Sequence, residues 1–523
     1  MNRTQRWTLI AAVLGSGSVF LDSTVVNVAL PRIGRDLPSH LFAVLEGQAY
    51  VYTGYLLTLS ALLVLAGALS DRYGRRRIFA IGLAGFGLTS LLCGLAPNME
   101  LLVAGRLLQG VAGALLVPGS LALITAAFDG EAQGRAIGTW AAATSATTLL
   151  GPLLGGLLVD TVSWRAVFLL NLPLVALALW AVAAHVDESR DLEMPPGFDW
   201  QGAILTAAAV GGLSLGVIYG QQRNWQSTTA WVLLGAGLLA LVVLPLQLRS
   251  SPHPLVPLEL FRSRNFTITN VSTLLIYGAL YVVGYYVGLL QQGTLGYTAA
   301  AAGLGLLPGS LMLVFFSRRF GALAARRGPR LFMTVGPLLM AAGVLWWARV
   351  GASSSPWRLT PADPNSWLPP LGWVIDFLPG SLIFGAGLCL LVAPLTAALM
   401  ASVPKHNSGV ASAVNNAISR IGPQLAGAVI FVAITATFYA VLATRVPGLD
   451  TSDPGVRTSI SPLNPPPASV PASERAAARD ASVDAFRIAM LVGAGLLLAG
   501  AAVNYLGIEN QPGAEAVRRS RAA

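Results

Sequence analysis

The sequence predicts an all-α protein that crosses a membrane many times. Of its 523 residues, 54% are hydrophobic and only 11% are charged, whereas a soluble chain carries about 25% charged residues. Apolar runs of the roughly 20 residues that span a bilayer recur along the whole chain. Arginine is concentrated in alternate polar breaks, as in cytoplasmic loops. Because this topology accounts for the net charge of +10, we predict no nucleic-acid partner.

Cutting the chain at its polar breaks gives the predicted spans in order. We predict fourteen: 7–30, 45–69, 77–96, 101–127, 136–159, 165–184, 201–220, 230–248, 266–291, 298–316, 331–349, 374–400, 409–442 and 484–507. Residues 443–483 are rich in Pro, Ser and charge, which favours a mobile outer loop that insertion does not need. The first run is too long for a signal peptide and is interpreted as a retained span.

Charge distribution orients the chain in the plasma membrane. With the N-terminus in the cytoplasm, most of the 33 Lys and Arg residues lie in inner loops or at inner ends of spans, as the positive-inside tendency requires. An even number of spans then puts both termini in the cytoplasm. Scarce lysine beside abundant Ala, Gly and Arg is typical of a GC-rich bacterial genome. Cys93 and Cys389 lie inside apolar runs, so no disulfide framework is predicted.

Three short segments recur in the same order. "GALSDRYGRRR" from Gly67 parallels "GALAARRGPR" from Gly321, "GALLVPGSLAL" parallels "GLCLLVAPLTAAL", and "GPLLGG" parallels "GPQLAG". Spans one to six therefore parallel spans nine to fourteen, with two spans inserted between them. We predict a six-helix half at 1–184, two linker helices within 185–265 and a second six-helix half at 266–523. Two parallel halves around a central cavity form a transporter architecture.

The enzyme alternatives have weak support. "GLSLG" fits the nucleophile pattern G-x-S-x-G, but it lies inside an apolar span without the strand–turn–helix context. The four His residues show no metal-binding spacing. A phosphate-binding loop needs Gly-Lys before Ser or Thr, and the one lysine, Lys405, follows Pro404. We therefore predict a transporter that is secondary or is driven by a partner, that is not an enzyme, and that needs neither metal nor cofactor.

Several motifs resemble one family of transporters. "LDSTVVNVALP" from Leu21, "GALSDRYGRRRIF", "LLVAGRLLQGVAGA" from Leu101, "GPLLGG", "WRAVFLLNLP" from Trp164 and "SGVASAVNNAISRIG" from Ser408 are similar to signatures of the major facilitator superfamily, in its fourteen-helix drug:proton antiporter branch. The chain departs from the branch pattern at Thr147, where Gly is usual, and at Tyr50, where Trp is usual. The resemblance covers essentially the whole chain and implies the major facilitator fold.

Four sets of residues are candidates for function, and the resemblance implies the roles of the gate and antiporter sets. The amides of the substrate-cavity set could instead bridge helices, and its tyrosines could simply pack. The loop motif would form a cytoplasmic gate that docks near Asn407 and Ser408, although a tight turn with a topology signal would explain the same residues. "GPLLGG" would be the antiporter motif that prevents leak, or simply a tightly packed kink. The gate set is Gly67, Asp71, Arg72, Gly74 and Arg75; the antiporter set is Gly151, Pro152, Gly155 and Gly156; the substrate-cavity set is Asn27, Tyr50, Gln109, Tyr281, Asn415 and Asn416; the proton-coupling set is Asp22 and Arg106.

Asp22 and Arg106 are charged groups inside predicted spans. A carboxylate there costs roughly 2.5–3.5 kcal/mol even on a lenient insertion scale. Asp22 lies roughly 12 Å before the end of its span and Arg106 roughly 8 Å inside its own, so the two lie at similar depth. Burial favours the protonated form of a carboxyl group, whereas a nearby Arg favours the ionised form. A movement that changes water access to Asp22 or its distance from Arg106 would therefore switch Asp22 between its protonated and ionised forms. A static ion pair is the alternative, and Glu46 is a rival carboxylate.

Three functions remain open. The first is a proton-driven exporter of amphipathic or lipophilic drugs by alternating access, acting as a monomer among membrane lipids. The second is an exporter of one dedicated metabolite or lipid that engages an envelope partner. The third is a membrane sensor that transports nothing, which gives no reason for Asp22, Arg106 and a complete loop motif to occur together.

Overall fold

The structure is a computed structural model in which every regular element of the described residues is helical. The described residues are 1–41, 43–128, 130–189, 199–222, 227–252, 254, 256–360, 363–403 and 408–510. Helices are the expected solution for a lipid-embedded chain, since each satisfies its backbone hydrogen bonds internally.

The first nine helices account for the chain up to Ser250. They are α1 Arg3–Asp36, α2 Val44–Tyr73, α3 Arg75–Gly94, α4 Met99–Ala127, α5 Gly130–Thr161, α6 Ala166–Leu169, α7 Asn171–His185, α8 Trp200–Gln222 and α9 Thr228–Ser250. Polar caps mark their beginnings. Asn2 and Gln5 form a capping box on α1, and the Asn98 side chain accepts from the backbone N–H of Leu101 at the start of α4.

Nine further helices follow in the rest of the described chain. They are α10 Arg264–Leu289, α11 Ala299–Gly305, α12 Leu307–Arg327, α13 Pro329–Trp347, α14 Leu371–Asp376, α15 Leu378–Ala401, α16 Ser408–Arg445, α17 Pro454–Ser459 and α18 Ala472–Gly507. A turn of π-helix, Leu290–Thr294, extends α10, and 3-10 turns form at Leu258–Arg262 and Pro364–Trp367.

Twelve helices within the described residues are long and apolar enough to cross a membrane. They confirm an all-α membrane protein. The predicted spans 45–69 and 136–159 coincide with α2 and α5, which include side chains outside the described set. The count of fourteen spans therefore stays a prediction.

The chain forms two compact units. The first comprises Met1–Leu255 with Tyr297–Leu304, and the second comprises Val256–Gly296 with Gly305–Ala523. In the first unit, α1 is central and packs against α2, α4, α5 and α7. In the second unit, α10 packs against α16 and α18, while α13 packs against α15 and α18. The predicted division at 184/185 and 265/266 stays a prediction.

Helices α8 and α9 pack closely on each other and belong to the first unit. A Cβ added to Gly212 would come within 2.8 Å of the Cα of Gly237, so both glycines are needed for this backbone approach. Outward side chains of α9 such as Leu239 and Val242 are exposed, as expected for a helix that faces lipid.

The segment 443–483 is packed, contrary to the expected mobile loop. Ile460 and Leu463 are buried, and the Tyr439 hydroxyl donates to the carbonyl oxygen of Ile460 at 3.1 Å. The Ser482 hydroxyl oxygen accepts from the backbone N–H of Leu463. Helix α18 begins at Ala472, well before the predicted span. The expectation of a free loop was wrong because Pro and Ser content reports local preference and not tertiary burial.

Candidate functional site

Asp22 and Arg106 form an ion pair inside the first unit. The Arg106 Nη1 donates to Asp22 Oδ2 at 2.5 Å, and the two side chains are 1% and 0% exposed, respectively. Asp22 lies on α1 and Arg106 on α4, and the structure brings them into direct contact. An isolated charge at this depth would be costly, so each compensates the other.

The second carboxylate oxygen of Asp22 is held by two amides. Gln109 Nε2 and Asn171 Nδ2 both donate to Asp22 Oδ1, each at 3.0 Å. Gln109 lies one turn after Arg106 on α4, while Asn171 is the first residue of α7. The three described donors around Asp22 therefore come from two helices, and all are N–H groups.

Arg106 has partners besides Asp22. Its Nε donates to the carbonyl oxygen of Val51 at 3.0 Å, and its Nη1 also donates to Gln109 Oε1 at 2.7 Å. The guanidinium carbon lies 4.2 Å from the centroid of the Tyr55 ring, within the range of a cation–π contact. The Tyr55 hydroxyl in turn donates to the carbonyl oxygen of Val19. Arg106 thus joins α1, α2 and α4.

Ser90 and Cys93 on α3 complete the cluster. The Ser90 hydroxyl oxygen accepts from Gln109 Nε2 at 3.1 Å and from Asn171 Nδ2 at 2.9 Å. The same hydroxyl donates to the carbonyl oxygen of Phe168 at 3.0 Å. Cys93 Sγ lies 3.7 Å from Gln109 Oε1. Asn171 Oδ1 is buried and has no hydrogen-bond partner among the described residues.

Glycines on α4 allow these side chains to converge. A Cβ on Gly105 would lie 2.8 Å from Cys93 Sγ, and one on Gly110 would overlap the backbone carbonyl of Tyr55. Close backbone approach of this kind is how small residues pack membrane helices. The sequence pattern "GRLLQG" therefore places Arg106 and Gln109 within reach of α2 and α3.

The predicted antiporter motif makes close contacts within the first unit. A Cβ on Gly155 would lie 3.0 Å from the carbonyl oxygen of Val25, and one on Gly151 would overlap the Thr24 hydroxyl. A Cβ on Gly156 would lie 2.6 Å from the Cα of Ala300. Pro152 lies inside α5. The motif therefore fits α5 against α1 and against the segment Tyr297–Leu304.

The predicted gate lies where α2 ends and α3 begins. Gly74 has φ of +109° between the two helices, a conformation that favours glycine. The backbone N–H groups of Arg76 and Arg77 donate to the carboxylate of Glu188 at 3.1 and 3.2 Å, which fits an anion at the start of a helix. Sequence analysis missed Glu188.

The other gate residues are partly described. Gly67 faces Pro118, whose Cβ would lie 3.5 Å from a Cβ placed on the glycine. Arg72 and Arg75 are half-buried. The side chain of Asp71 and all of Asn407 lie outside the described residues.

The predicted substrate-cavity residues are distributed over both units. In the first unit Gln109 belongs to the Asp22 cluster, Asn27 is half-buried and Tyr50 is buried. In the second unit Asn415 Nδ2 donates to Asn270 Oδ1 at 3.0 Å and to Thr273 Oγ1 at 2.9 Å. There Tyr281 is 40% exposed and Asn416 is also exposed.

Sequence analysis missed Ser90, Asn171 and Tyr55. Asn171 stands inside "WRAVFLLNLP", which was singled out as a motif, so a signal was present without a role. Ser90 carries no comparable signal, because a Ser hydroxyl in an apolar span usually bonds to its own helix. Tyr55 carries none either, because an aromatic residue in such a span usually contributes to packing. Gln424 was also missed; it is 3% exposed, and its amide atoms have no partner within the described chain.

Comparisons with known proteins agree on the kind of molecule. The sequence profile described as Major Facilitator Superfamily matches residues 12–427. The chain is 35% identical over 444 residues to a protein named Multidrug resistance protein Stp from Mycobacterium tuberculosis (strain CDC 1551 / Oshkosh), covering 84% of this chain and 78% of the relative. It is 33% identical over 433 residues to the Tetracenomycin C resistance and export protein of Streptomyces glaucescens, covering 82% and 76%.

Among the solved structures with a similar fold is one bacterial transporter homologue. It is the crystal structure of a bacterial homologue of the human lysosomal transporter Spinster, with a TM-score of 0.65 and 16% sequence identity. The match covers 97% of each chain. At this identity the likeness concerns the fold alone.

Proposed function

The chain belongs to the Major Facilitator Superfamily, and from that premise we propose that it exports drugs from bacterial cells in exchange for protons. It is a multi-pass protein of the plasma membrane, and its relatives are named for multidrug resistance and for tetracenomycin C resistance and export. Those names support the export of drugs, and we propose that the exported compounds are amphipathic or lipophilic. The observation that carries proton coupling is the fully buried Asp22–Arg106 pair.

Asp22 is the proposed proton carrier. The carboxylate is compensated by one guanidinium and two amide donors, so it can exist ionised inside the helix bundle. Protonation from the outer side removes its charge and weakens the attraction to Arg106. A change in packing between α1 and α4 then moves the access to Asp22 and to the substrate from one side of the membrane to the other. Release of the proton to the cytoplasm resets the pair.

Arg106 is the proposed control of that cycle. When Asp22 is neutral, Arg106 still has Val51, Gln109 and the face of Tyr55 as partners. Neutral hydrogen-bond acceptors and an aromatic ring therefore stabilise the Arg106 cation even when Asp22 carries no charge. This arrangement supports a switch and disfavours a permanent bridge between helices.

The two glycine-containing motifs have proposed supporting roles. The gate set, Gly67, Asp71, Arg72, Gly74 and Arg75, is proposed to close the cytoplasmic side, and Glu188 anchors its second helix. The antiporter set, Gly151, Pro152, Gly155 and Gly156, is proposed to keep α5 tight against α1, because a loose contact would admit water and let protons leak.

Orientation, substrate contacts and assembly are proposals as well. Both termini are proposed to be cytoplasmic, on the charge distribution. Asn27, Tyr50, Gln109, Tyr281, Asn415 and Asn416 remain the proposed substrate contacts. The protein is proposed to act as a monomer that needs protons but no cofactor. Export of one dedicated metabolite or lipid is the second candidate, and a substrate panel would separate it from broad drug export.

The direct test replaces the carboxylate by its amide, Asp22→Asn. In proteoliposomes with an imposed pH gradient, we expect gradient-driven substrate accumulation to fall to the level of empty liposomes. Exchange of labelled for unlabelled substrate without a gradient should persist, since binding and reorientation need no net proton movement. Asp36→Asn is the matched control, because Asp36 lies on the same helix in an exposed pair with Arg32. Undiminished accumulation in Asp22→Asn would remove Asp22 from the mechanism.

A further inference from the structure

Helix α7 contacts two parts of the proposed mechanism. At its first residue, Asn171 Nδ2 donates to Asp22 Oδ1 at 3.0 Å. After its last residue, Glu188 accepts from backbone N–H groups of the gate turn, residues 73–77 between α2 and α3. The helix has 15 residues and is therefore roughly 22 Å long. It connects the proton carrier, as the proposed function assigns it, with the gate.

The segment that follows α7 caps the start of α3. The Arg75 N–H donates to the Ser189 carbonyl oxygen at 3.0 Å. The N–H groups of Arg76 and Arg77 donate to the Glu188 carboxylate at 3.1 and 3.2 Å. The first N–H groups of a helix have no acceptor within the helix itself, and the residue just before the helix often supplies one. Here the chain after α7 supplies the acceptors, so the start of α3 depends on where α7 ends.

Gly74 leaves room for the Glu188 carboxylate. A Cβ added to Gly74 would lie 2.7 Å from Glu188 Cδ, so a larger residue at this position would displace the carboxylate. A further hydrogen bond closes the contact, since Arg76 Nη2 donates to the carbonyl oxygen of Ala183 in the last turn of α7 at 2.9 Å. The gate turn therefore cannot move relative to the end of α7 without losing these hydrogen bonds.

Helices α3 and α7 are also joined near Asp22. Asn171 Nδ2 donates to the Ser90 hydroxyl oxygen at 2.9 Å. Between the two joined ends, a Cβ on Gly87 of α3 would lie 3.0 Å from Val175 Cγ1 of α7, which indicates close helix packing. The two helices therefore form one body, the α3–α7 pair, with Asp22 at one end and the gate turn at the other.

Protonation of Asp22 would loosen its contact with this pair. Hydrogen bonds to an ionised carboxylate are roughly twice as strong as those between neutral groups. The described donors to Asp22 are the N–H groups of Arg106, Gln109 and Asn171. A protonated carboxyl brings an O–H group among these donors, which favours separation of α1 from the pair and entry of water that can accept from the O–H.

The inner ends of α1 and α7 are held together by different side chains. The Trp7 ring stacks on the His185 ring at 4.9 Å, and Arg3 Nη2 lies 3.3 Å from His185 Nε2. Loosening at Asp22 would therefore tilt the α3–α7 pair relative to α1 without detaching it. Around Asp22 the titratable or charged groups described are Arg106 on α4, Cys93 on α3 and Tyr55 on α2.

We propose that the α3–α7 pair transmits the protonation state of Asp22 to the gate, and that Glu188 is the positioning residue that fixes the gate turn to the pair. With Asp22 ionised, Asn171 holds α1 against the pair, and the gate turn keeps its present orientation. With Asp22 protonated, the pair tilts and carries the gate turn with it. Glu188 itself carries no proton. This role of Glu188 rests on the proposed function, because it takes Asp22 as the proton carrier.

A fluorophore beside the gate turn tests the proposal on the full-length protein in lipid. Tyr73→Cys places a thiol at the last residue of α2, where the native side chain is 44% exposed, and both native cysteines are buried. An environment-sensitive fluorophore on this thiol reports reorientation of the gate turn between high and low pH. His185 at the end of α7 is titratable too, so only the part of the change that is absent in Asp22→Asn counts. The infrared carbonyl band of protonated Asp22, also absent in that variant, shows that the proton site is intact.

Glu188→Ala should reduce the Asp22-dependent fluorescence change about fivefold, the factor that corresponds to the typical cost of about 1 kcal/mol for a lost helix cap. The Asp22 acid band should stay. A residue that only stabilised α3 would lower the melting temperature on removal and leave the fluorescence change as it was. Asp187→Ala is the matched control, because Asp187 is the neighbouring exposed carboxylate while the gate turn donates to Glu188. Its fluorescence change should equal that of the wild type.

Two results would overturn the proposal. One is a full Asp22-dependent fluorescence change in Glu188→Ala with the acid band intact, and the other is an equal loss in Asp187→Ala. If Glu188→Ala does not fold, Glu188→Gln decides, because the amide keeps the shape but has a single acceptor oxygen, and its fluorescence change must fall below the wild-type value. Failure of the proposed function gives a different result: the acid band would be missing from the wild type itself, which would remove both proposals.

Discussion

Gly155→Ala should loosen the coupling between proton and substrate. The added Cβ would lie 3.0 Å from the carbonyl oxygen and 3.2 Å from the Cα of Val25 on α1. Both are backbone atoms and cannot rotate away, so α1 must shift by a few tenths of an ångström relative to α5. Asp22 lies less than one turn before Val25 on the same helix. A displacement here therefore reaches the proposed proton carrier.

The size of the effect follows from the packing. Inserting a methyl group into a filled helix contact costs about 1–3 kcal/mol. If the closed contact between α1 and α5 is needed to keep water out, that cost changes the balance between sealed and leaking states by about 5- to 150-fold. We expect a small loss of folding stability but a large change in proton leak.

The assay uses proteoliposomes that contain a pH-sensitive dye. Proton entry is measured first without substrate and then with substrate inside, and the ratio of the two rates gives the coupling. Gly155→Ala should raise the rate without substrate and lower the ratio. Gly235→Ala on α9 is the matched control, since a Cβ there meets nothing within 4 Å.

One result would refute this reasoning. If Gly155→Ala keeps both the wild-type leak and the wild-type ratio, the tight contact between α5 and α1 has no part in coupling. The antiporter motif would then be a packing feature alone.

Two further predictions concern the site and the topology. Arg106→Lys keeps the positive charge, but its single nitrogen cannot reach both the backbone carbonyl and the two side-chain acceptors. The loss of about 1–3 kcal/mol of hydrogen bonding should slow gradient-driven transport about 5- to 150-fold, while Arg32→Lys at an exposed ion pair should transport at nearly the wild-type rate. Equal rates in Arg106→Lys and the wild type would show that the charge alone suffices. Thr458→Cys, in the exposed part of α17, should react with a membrane-impermeant thiol reagent in intact cells, because residues 443–483 are predicted to lie outside. Both native cysteines are buried and should add little background, and labelling confined to inverted vesicles would contradict the predicted orientation.

Much of the helical architecture could be predicted from hydropathy. The predicted span 101–127 becomes Met99–Ala127, and 266–291 becomes Arg264–Leu289 followed by a π-helical turn. Hydropathy succeeds because lipid requires an apolar surface on a helix that satisfies its own backbone. It detects apolar stretches whether they face lipid or protein, as in α1, and it does not detect polar extensions of a helix.

The polar first part of α18 was not detected from hydropathy. The span was predicted from 484, whereas the helix begins at Ala472. The stretch "ASERAAARDASVD" is polar but rich in alanine, which has the highest helix propensity. Its buried residues, such as Ala481 and Ser482, pack against protein, and no hydropathy window detects that contact.

The candidate site was only half predictable. Asp22 and Arg106 stand out because charges are rare in apolar spans, and their similar depth indicated a pair. Ser90 does not stand out, since uncharged polar residues in spans commonly bond within their own helix, as Thr89 does to the carbonyl oxygen of Gly85. Asn171 lies in a motif that the sequence showed, but nothing in the motif indicated that its side chain faces Asp22. Which hydroxyl or amide faces a carboxylate depends on the rotation of each helix, and that is set by glycine contacts such as Gly105 against Cys93.

The distribution of partners around Arg106 favours a coupling role for the pair over a static one. A bridge that only joined two helices would need the carboxylate as its principal acceptor, and removing its charge would leave a buried cation at a cost of about 3–5 kcal/mol. Here the guanidinium also has the Val51 carbonyl oxygen, the Gln109 amide oxygen and the Tyr55 ring. Because these neutral partners remain when Asp22 is protonated, the cation stays solvated by protein. Neutralising Asp22 therefore costs less than breaking an ordinary buried pair, and a proton site that must fill and empty in every cycle needs that property.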